Sequence, residues 1–235
     1  MRSPSDRMKP KDVIGKKALR TRILRDVEMR ALWAATESMG YPYGPLIRLL
    51  VLTGQRKSEV SDARWSEFDL QRWLWTIPAE RMKADAPHTV PLTAEAVAVL
   101  ESLPRFQNGG YLFSTTLGQK PVSGFSKAKI RLDEFLSAEL RNLAGELGIV
   151  HFEPWTIHDI RRTVRTGLSA LPIPDLVREL VIAHAKPGLH KVYDQYAYLD
   201  EKRRALELWE TRLLEIVKSA CATRHDYDAD NDVGV

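Results

Sequence analysis

The sequence predicts a mainly α-helical domain that carries a small antiparallel β-sheet, an α+β fold. Apolar residues recur at helical spacing through most of residues 23–218, a pattern typical of helices that bury one face. Two short β-rich segments, 73–77 and 88–92, are joined by a polar stretch and are predicted to pair as antiparallel strands. With 44% hydrophobic and 28% charged residues among 235, the composition excludes a largely disordered or collagen-like chain.

The helices before the sheet are predicted from their ends and their apolar faces. A first helix is expected over about 27–39, with Asp26 as its N-cap. A second helix has Pro45 in its first turn, and residues 46–52 are apolar nearly all round, so this helix belongs in a core. Gly54 then ends it, because glycine readily adopts the left-handed conformation at a helix C-terminus.

The segments after the sheet are predominantly helical in pattern, apart from a short strand expected over 111–113. The expected helices span about 93–103, 125–143, 156–170, 174–182 and a last helix through 206–216. The last helix carries a single apolar stripe made by Leu206, Trp209, Leu213 and Ile216. These spacings predict one face packed on a core.

Charge is distributed unevenly along the chain, whose formal net charge is +4. Residues 1–22 have a net charge of +6 and residues 219–235 a net charge of −3, which leaves +1 for residues 23–218. Both ends are poor in large apolar residues. We therefore expect a basic flexible arm or linker remnant over 1–22, one folded domain over 23–218 and an acidic disordered tail over 219–235.

Several classes of protein are excluded by what the sequence lacks. There is no run of 18 or more apolar residues, so a transmembrane helix is not expected, and the first residues lack the apolar stretch of a signal peptide. The single cysteine, Cys221, excludes a disulfide framework and a multi-cysteine zinc site. A cytoplasmic location is expected.

Three polar segments interrupt the apolar pattern. Arg56 follows directly after the buried second helix, and His158 and Arg161 lie three residues apart, on one helix face. His184 precedes Tyr193 by nine residues. Two guanidiniums suit a phosphodiester, because they are permanently charged and donate in a fork to the non-bridging oxygens, where transition-state charge collects.

Together these segments resemble the tyrosine recombinase (phage integrase) family, most closely the integrases of prophages and genomic islands. The catalytic residues of the family fall, in order, on Arg56, Lys83, His158, Arg161, His184 and Tyr193. The resemblance implies the catalytic domain of a site-specific recombinase that cuts and rejoins DNA without a cofactor or a metal. It also implies double-stranded attachment-site DNA as the partner and a homo-tetramer on DNA, with a monomer as the alternative for an isolated domain, in the nucleoid of a bacterial cytoplasm.

The resemblance also assigns roles. Tyr193 is the expected nucleophile, which would form a 3′-phosphotyrosine, and its spacing from His184 favours it over Tyr196 and Tyr198. A tyrosine with a pKa of about 10 needs a proton acceptor, and His158 is the candidate base. Lys83 would protonate the departing 5′-oxygen, and His184 would hydrogen-bond the scissile phosphate.

Two alternatives remain at this point: relaxation of DNA in the manner of a type IB topoisomerase, and a DNA-binding recombinase remnant without turnover. The sequence departs from the family pattern at Ala183, where glycine is usual, and at Arg162, where many members have histidine. The family usually carries an arm-binding and a core-binding domain upstream of the catalytic domain. Residues 1–22 are too few to form either of them, so we expect an isolated catalytic domain. C-terminal segments of the family often dock on a neighbouring protomer, which is the alternative to ordinary packing of the last helix.

Overall fold

The structure, a computed structural model, describes residues 21–83, 85–147, 152–184 and 197–219. The helices of this part of the chain are α1 (Asp26–Met39), α2 (Tyr43–Thr53), α3 (Lys57–Ser61), α4 (Ala94–Glu101), α5 (Phe125–Leu147), α6 (Ile157–Ser169), α7 (Asp175–Val181) and α8 (Leu199–Lys218). The strands are β1 (Phe68–Asp69), β2 (Leu74–Ile77) and β3 (His88–Pro91). The predicted α+β class is confirmed. Apart from residues 21, 22 and 219, the expected arm and tail lie outside the described residues.

Helix α2 lies in the middle of the core, as its all-round apolar pattern predicts. Eight of its 11 residues are buried, and it packs against α1, α4, α6 and α8. It ends at Gly54, whose φ of 65° is left-handed, and whose backbone N–H donates to the Leu50 carbonyl at 2.9 Å. The chain can therefore turn sharply at this point, which brings the next residues back across the end of the core.

The predicted N-cap of α1 is wrong by one residue. Arg25, not Asp26, occupies the cap position, because the carboxylate of Glu28 reaches back and accepts the Arg25 backbone N–H at 2.8 Å. The Asp26 side chain instead pairs with Arg212 of α8 at 2.6 Å. The cap is thus supplied from inside the helix, and the acid expected to cap it joins the first helix to the last.

The sheet has the order β1-β2-β3 and is antiparallel throughout. The predicted pairing of the second and third strands is confirmed, with Leu74 opposite Pro91 and Ile77 opposite His88. The first strand, only two residues long, was too short to predict. The strand expected over 111–113 is instead a single bridge between Arg64 and Tyr111.

Helix α8 packs on its own domain. The four residues of its predicted stripe are all buried, and the helix contacts α1, α2, α6, α7 and β3. Trp209 lies at the centre, where its indole N–H donates to the Val51 carbonyl at 2.8 Å. These contacts are those of a last helix that packs on its own domain, rather than one exchanged with a neighbour.

Of the helices in the described ranges, none combines the length and apolar character needed to cross a membrane.

Candidate active site

Arg56 stands at the N-cap of α3, immediately beyond the turn at Gly54. Its guanidinium donates to Glu59 at 2.6 Å, and its backbone N–H donates to the other oxygen of the same carboxylate at 2.7 Å. The Glu59 side chain is only 3% exposed, whereas that of Arg56 is 28% exposed. The carboxylate therefore fixes the guanidinium from the protein side and leaves part of it open to solvent.

Arg161, in α6, connects two segments that are far apart in the sequence. Its Nη1 donates to the Gly54 carbonyl at 2.9 Å, and its Nη2 donates to the Ile182 carbonyl. The same Nη1 lies 4.0 Å from a Glu59 oxygen. One side chain thus ties the turn before Arg56 to the turn before the second candidate histidine.

Burial, followed by the charge of Arg56, lowers the pKa of Arg161 to about 10 against the opposing effect of Glu59 and Glu179. The guanidinium is still protonated at neutral pH. The two arginines are close enough to influence each other's charge, and the buried carboxylate of Glu59 lies between them. They form the centre of the candidate site.

His158 lies in the first turn of α6, where it is exposed. The helix begins in a capping box, since Asp159 accepts hydrogen bonds from the backbone N–H and the hydroxyl of Thr156 at 2.7 and 2.9 Å. The pKa of His158 is lowered by partial burial and then by the nearby charges of Arg162 and Arg161. The imidazole is therefore neutral at pH 7 and can accept a proton.

His184 follows α7 in a turn held by Glu179. The His184 backbone N–H donates to the Glu179 carbonyl at 2.9 Å, and its Nδ1 lies 3.1 Å from the Glu179 carboxylate. Ala183 has a φ of 51°, a left-handed conformation that favours glycine. This turn explains why glycine suits the position before the histidine, and alanine occupies it here at some conformational cost.

The structure does not bring every predicted site residue together. Lys83 is exposed, between a turn at Ala79–Arg81 and β3, and within the described ranges no recorded contact joins it to the two arginines. Arg81 nevertheless donates to the Glu59 carbonyl, so the hairpin that carries Lys83 starts beside α3. Tyr193 lies outside the described residues.

Known proteins share the sequence pattern and the fold of this chain. The phage integrase family matches residues 22–198. The chain belongs to the phage integrase family. It is 34% identical over 186 residues to prophage integrase IntZ and 30% identical over 172 residues to prophage integrase IntA, both of Escherichia coli (strain K12). These matches cover 77% and 72% of this chain but 42% and 37% of the relatives, so the chain spans less than half of their length.

Solved structures agree on the fold of this phage integrase domain. The integrase from mycobacterium phage Brujita matches with a TM-score of 0.57 and 16% identity, over 92% of this chain and 66% of that one. The XerH site-specific recombinase bound to palindromic difH substrate matches with a TM-score of 0.53 and 17% identity, over 86% and 54%. At these identities the likeness concerns the fold alone.

Sequence reasoning missed several polar residues of the candidate site. Glu59 could have been found, because a glutamate three residues after an N-cap is the signature of a capping box. Glu179 had no such signal, since a spacing of five residues to His184 places two residues on no common helix face. The burial of Lys202 beside His88, which itself lies near the two arginines, was also not predicted.

His88 is a buried neutral histidine in this integrase fold. Its Nε2 donates to the Val181 carbonyl at 3.3 Å. Burial, followed by the charge of Lys202, lowers its pKa to about 3. Lys202 donates to the Thr89 carbonyl at 2.7 Å, and burial lowers its pKa to about 8. These contacts secure β3 to α7 and α8.

The pH dependence of stability should report the burial of His88. The unfolded chain binds a proton at this histidine below about pH 6.5 and the folded chain only near pH 3, so stability is lost as the pH falls through this window. Between pH 7 and pH 5 the expected loss from His88 is about 2 kcal/mol. Urea unfolding of the wild type and of His88→Gln, which keeps a donor for Val181, measures it at both values.

The variant should flatten the dependence on pH, and the difference between the two proteins should change most below pH 6.5. An equal loss of stability in both proteins would contradict the assignment of His88 as buried and neutral.

Metal binding has no candidate in the described ranges, where no group of three or more histidine, cysteine, aspartate or glutamate side chains is placed to hold an ion.

Proposed function

We propose that residues 23–218 are the catalytic domain of a site-specific tyrosine recombinase, which cleaves and rejoins duplex DNA through a 3′-phosphotyrosine. The single observation that carries the proposal is the pair of guanidiniums on one buried carboxylate, Arg56 and Arg161 on Glu59. Two positive charges against one negative charge leave a net positive site. A phosphodiester anion supplies the charge that balances it.

Both candidate histidines belong to segments that Arg161 connects to this anion site. His158 is one helical turn from Arg161 on the same helix, and His184 directly follows the segment whose Ile182 carbonyl Arg161 holds. We infer that both imidazoles can approach a phosphate bound by the arginines. This arrangement supports proton transfer at one imidazole and a hydrogen bond from the other.

The proposed cleavage is a single displacement at phosphorus. The oxygen of Tyr193 forms a bond to phosphorus as the bond to the 5′-oxygen breaks, and the phenolic proton passes to His158. The departing 5′-oxygen takes a proton from the ammonium group of Lys83, while His184 hydrogen-bonds the phosphate. Because one phosphodiester replaces another, a 5′-hydroxyl from a second strand can reverse the step without ATP.

The relatives and structural neighbours support recombination rather than DNA relaxation alone. The relatives are named as prophage integrases, and XerH, a site-specific recombinase, was solved on its difH substrate. We extend this to attachment-site DNA as the partner, a homo-tetramer as the active assembly, and residence with the bacterial nucleoid. The body of the domain carries little net charge, so we expect weak DNA affinity from this chain by itself.

Covalent trapping tests the proposal. Incubating the protein with a nicked suicide duplex carrying the attachment site should give an adduct that resists SDS and is removed by protease, because the 5′-end that would reverse the reaction diffuses away. Tyr193→Phe should abolish the adduct, since it lacks the attacking oxygen. Gel electrophoresis of labelled DNA measures it.

The neighbouring tyrosines provide matched controls. Tyr196→Phe and Tyr198→Phe remove the same hydroxyl a few residues away and should still form the adduct. An adduct that persists in Tyr193→Phe, or that disappears only in one of the other two variants, would refute the assignment of the nucleophile. No adduct with any duplex, by the wild type, would refute the cleavage reaction itself.

A further inference from the structure

The second candidate histidine is held by a carboxylate that sequence reasoning did not single out. Glu179, in α7, contacts His184 twice: its carbonyl accepts the backbone N–H at 2.9 Å, and its Oε2 lies 3.1 Å from Nδ1 of the ring. The Glu179 side chain is 17% exposed, whereas the His184 side chain is 59% exposed. The ring is therefore anchored along its Nδ1 edge and open on the other side.

The carboxylate is itself fixed by an arginine of the neighbouring helix. Arg165 donates to Glu179 Oε1 through Nε at 2.8 Å and through Nη2 at 2.5 Å. This leaves Oε2 for the imidazole, so the two oxygens have separate partners. Arg165 is four residues after Arg161 and lies on the same face of α6.

One helix face thus positions both sides of the candidate anion site. Arg161 holds the Ile182 carbonyl, two residues before the histidine, and Arg165 holds the carboxylate that contacts the imidazole. Helix α6, which carries the candidate phosphate-binding guanidinium of Arg161, therefore also restrains the rotation of the His184 ring through Arg165 and Glu179. Arrangements of this kind, in which a carboxylate orients a histidine, set which ring nitrogen carries the hydrogen.

The chemistry of the contact decides the state of the ring. An ionised carboxylate can only accept, so Nδ1 must carry the hydrogen, and Nε2 is the nitrogen left to face the open side. To donate to a phosphate, Nε2 must carry a hydrogen as well, which makes the ring an imidazolium when the anion is bound.

We propose that Glu179 is a positioning residue for His184, which keeps Nδ1 protonated and presents Nε2 to the scissile phosphate. The proposal rests on the proposed function, in which His184 contacts that phosphate. The charged side chains of the described elements that take part in this network are Glu179, Asp175 and Arg178 of α7 and Arg161 and Arg165 of α6. Glu179 is the carboxylate of this set that bonds to the ring.

The first test is spectroscopic and needs no DNA. Nitrogen-15 NMR of the histidine side chains, with His184 assigned through His184→Gln, should show Nδ1 as the protonated nitrogen of the neutral ring in the wild type. Glu179→Ala should move the ring toward the tautomer protonated at Nε2, which imidazole side chains favour in water. An unchanged tautomer in Glu179→Ala would overturn the proposal, whether or not the protein cleaves DNA.

The second test is a coupling experiment on the covalent step. Glu179→Ala should slow single-turnover cleavage of the nicked duplex by about 10- to 100-fold, the usual cost of losing a carboxylate that orients a functional histidine. In a His184→Ala background the same substitution should cost nothing further, because Glu179 acts through that ring. Asp175→Asn, which removes another carboxylate from Arg165, should leave the rate within about twofold.

Thermal unfolding of each variant verifies that it is folded at the assay temperature. An equal loss of rate from Glu179→Ala in both backgrounds would show a merely structural role and overturn the proposal. Absence of cleavage by the wild type would count against the proposed function, whereas the tautomer measurement would still decide the role of Glu179.

Discussion

Arg161→Ala is expected to lower the rate of DNA cleavage by about 10²- to 10³-fold, the cost of removing one donor to a developing negative charge. It should also lower the free energy of unfolding by about 3 kcal/mol or more, because buried carbonyl groups lose their donor. Those groups are the carbonyls of Gly54 and Ile182. Single-turnover cleavage of the nicked duplex and urea unfolding measure the two effects separately.

Two control variants separate charge, geometry and general damage. Arg161→Lys keeps the charge, but an ammonium lacks the fork that donates to two carbonyls, so it should recover only part of the stability and of the rate. Arg212→Ala removes an arginine of the same kind from an exposed ion pair with Asp26 and should change stability by about 0.5 kcal/mol or less. A cleavage rate for Arg161→Ala within a few fold of the wild type would exclude Arg161 from the phosphate site.

Gly167→Ala should destabilise the domain strongly, although it adds only one methyl group. A Cβ at this position of α6 would lie 2.3 Å from the Trp209 ring of α8, and that ring is only 2% exposed and has no space to move into. Overpacking of this kind costs about 1–3 kcal/mol and occasionally more. The midpoint and slope of urea unfolding measure it.

Gly145→Ala is the matched control, because Gly145 also lies inside a helix, α5, but has open space around its Cα. It should stabilise the protein by about 0.5–1 kcal/mol through helix propensity alone. Opposite signs for the two substitutions are the expected result. Stabilisation by Gly167→Ala would mean that α6 and α8 are not in close contact at this point.

The contact between α6 and α8 also matters for the site. Helix α6 carries His158 and Arg161, and α8 begins six residues after Tyr193. A substitution that pushes α6 and α8 apart would move His158 and Arg161 relative to the start of α8, six residues after Tyr193. We therefore expect Gly167→Ala to lower the cleavage rate by more than it lowers the fraction of folded protein. Both quantities are measured at the assay temperature.

Much of the fold could be predicted because its signals are local. The all-round apolar pattern of 46–52, the stop at Gly54 and the start of a helix at Thr156 each depend on residues within one or two turns of each other. Two elements are exceptions. The cap of α1 was placed on Asp26, although Glu28 decides it, and β1 is too short to carry a pattern of its own.

The site was predicted unevenly for the same reason. The order and spacing of Arg56, His158, Arg161 and His184 are properties of the chain, and a motif can be read without knowing which helices meet. Neither Glu59 as the shared partner of two arginines nor Glu179 as the partner of His184 follows from spacing. They acquire these roles through helices α3, α6 and α7, which the packing of the core brings together.

The sequence alone determines the helical class, the order of the candidate catalytic residues and the chemistry of which they are capable, since these depend on short-range periodicity and on side-chain type. Burial, the partner of each charge and the state of each imidazole depend on contacts between distant segments, such as the hydrogen bond from Arg161 to Gly54 across 107 residues. Desolvation and Coulomb energies depend on distance in space rather than along the chain. Only the folded structure therefore assigns Glu59 to two arginines and Glu179 to His184.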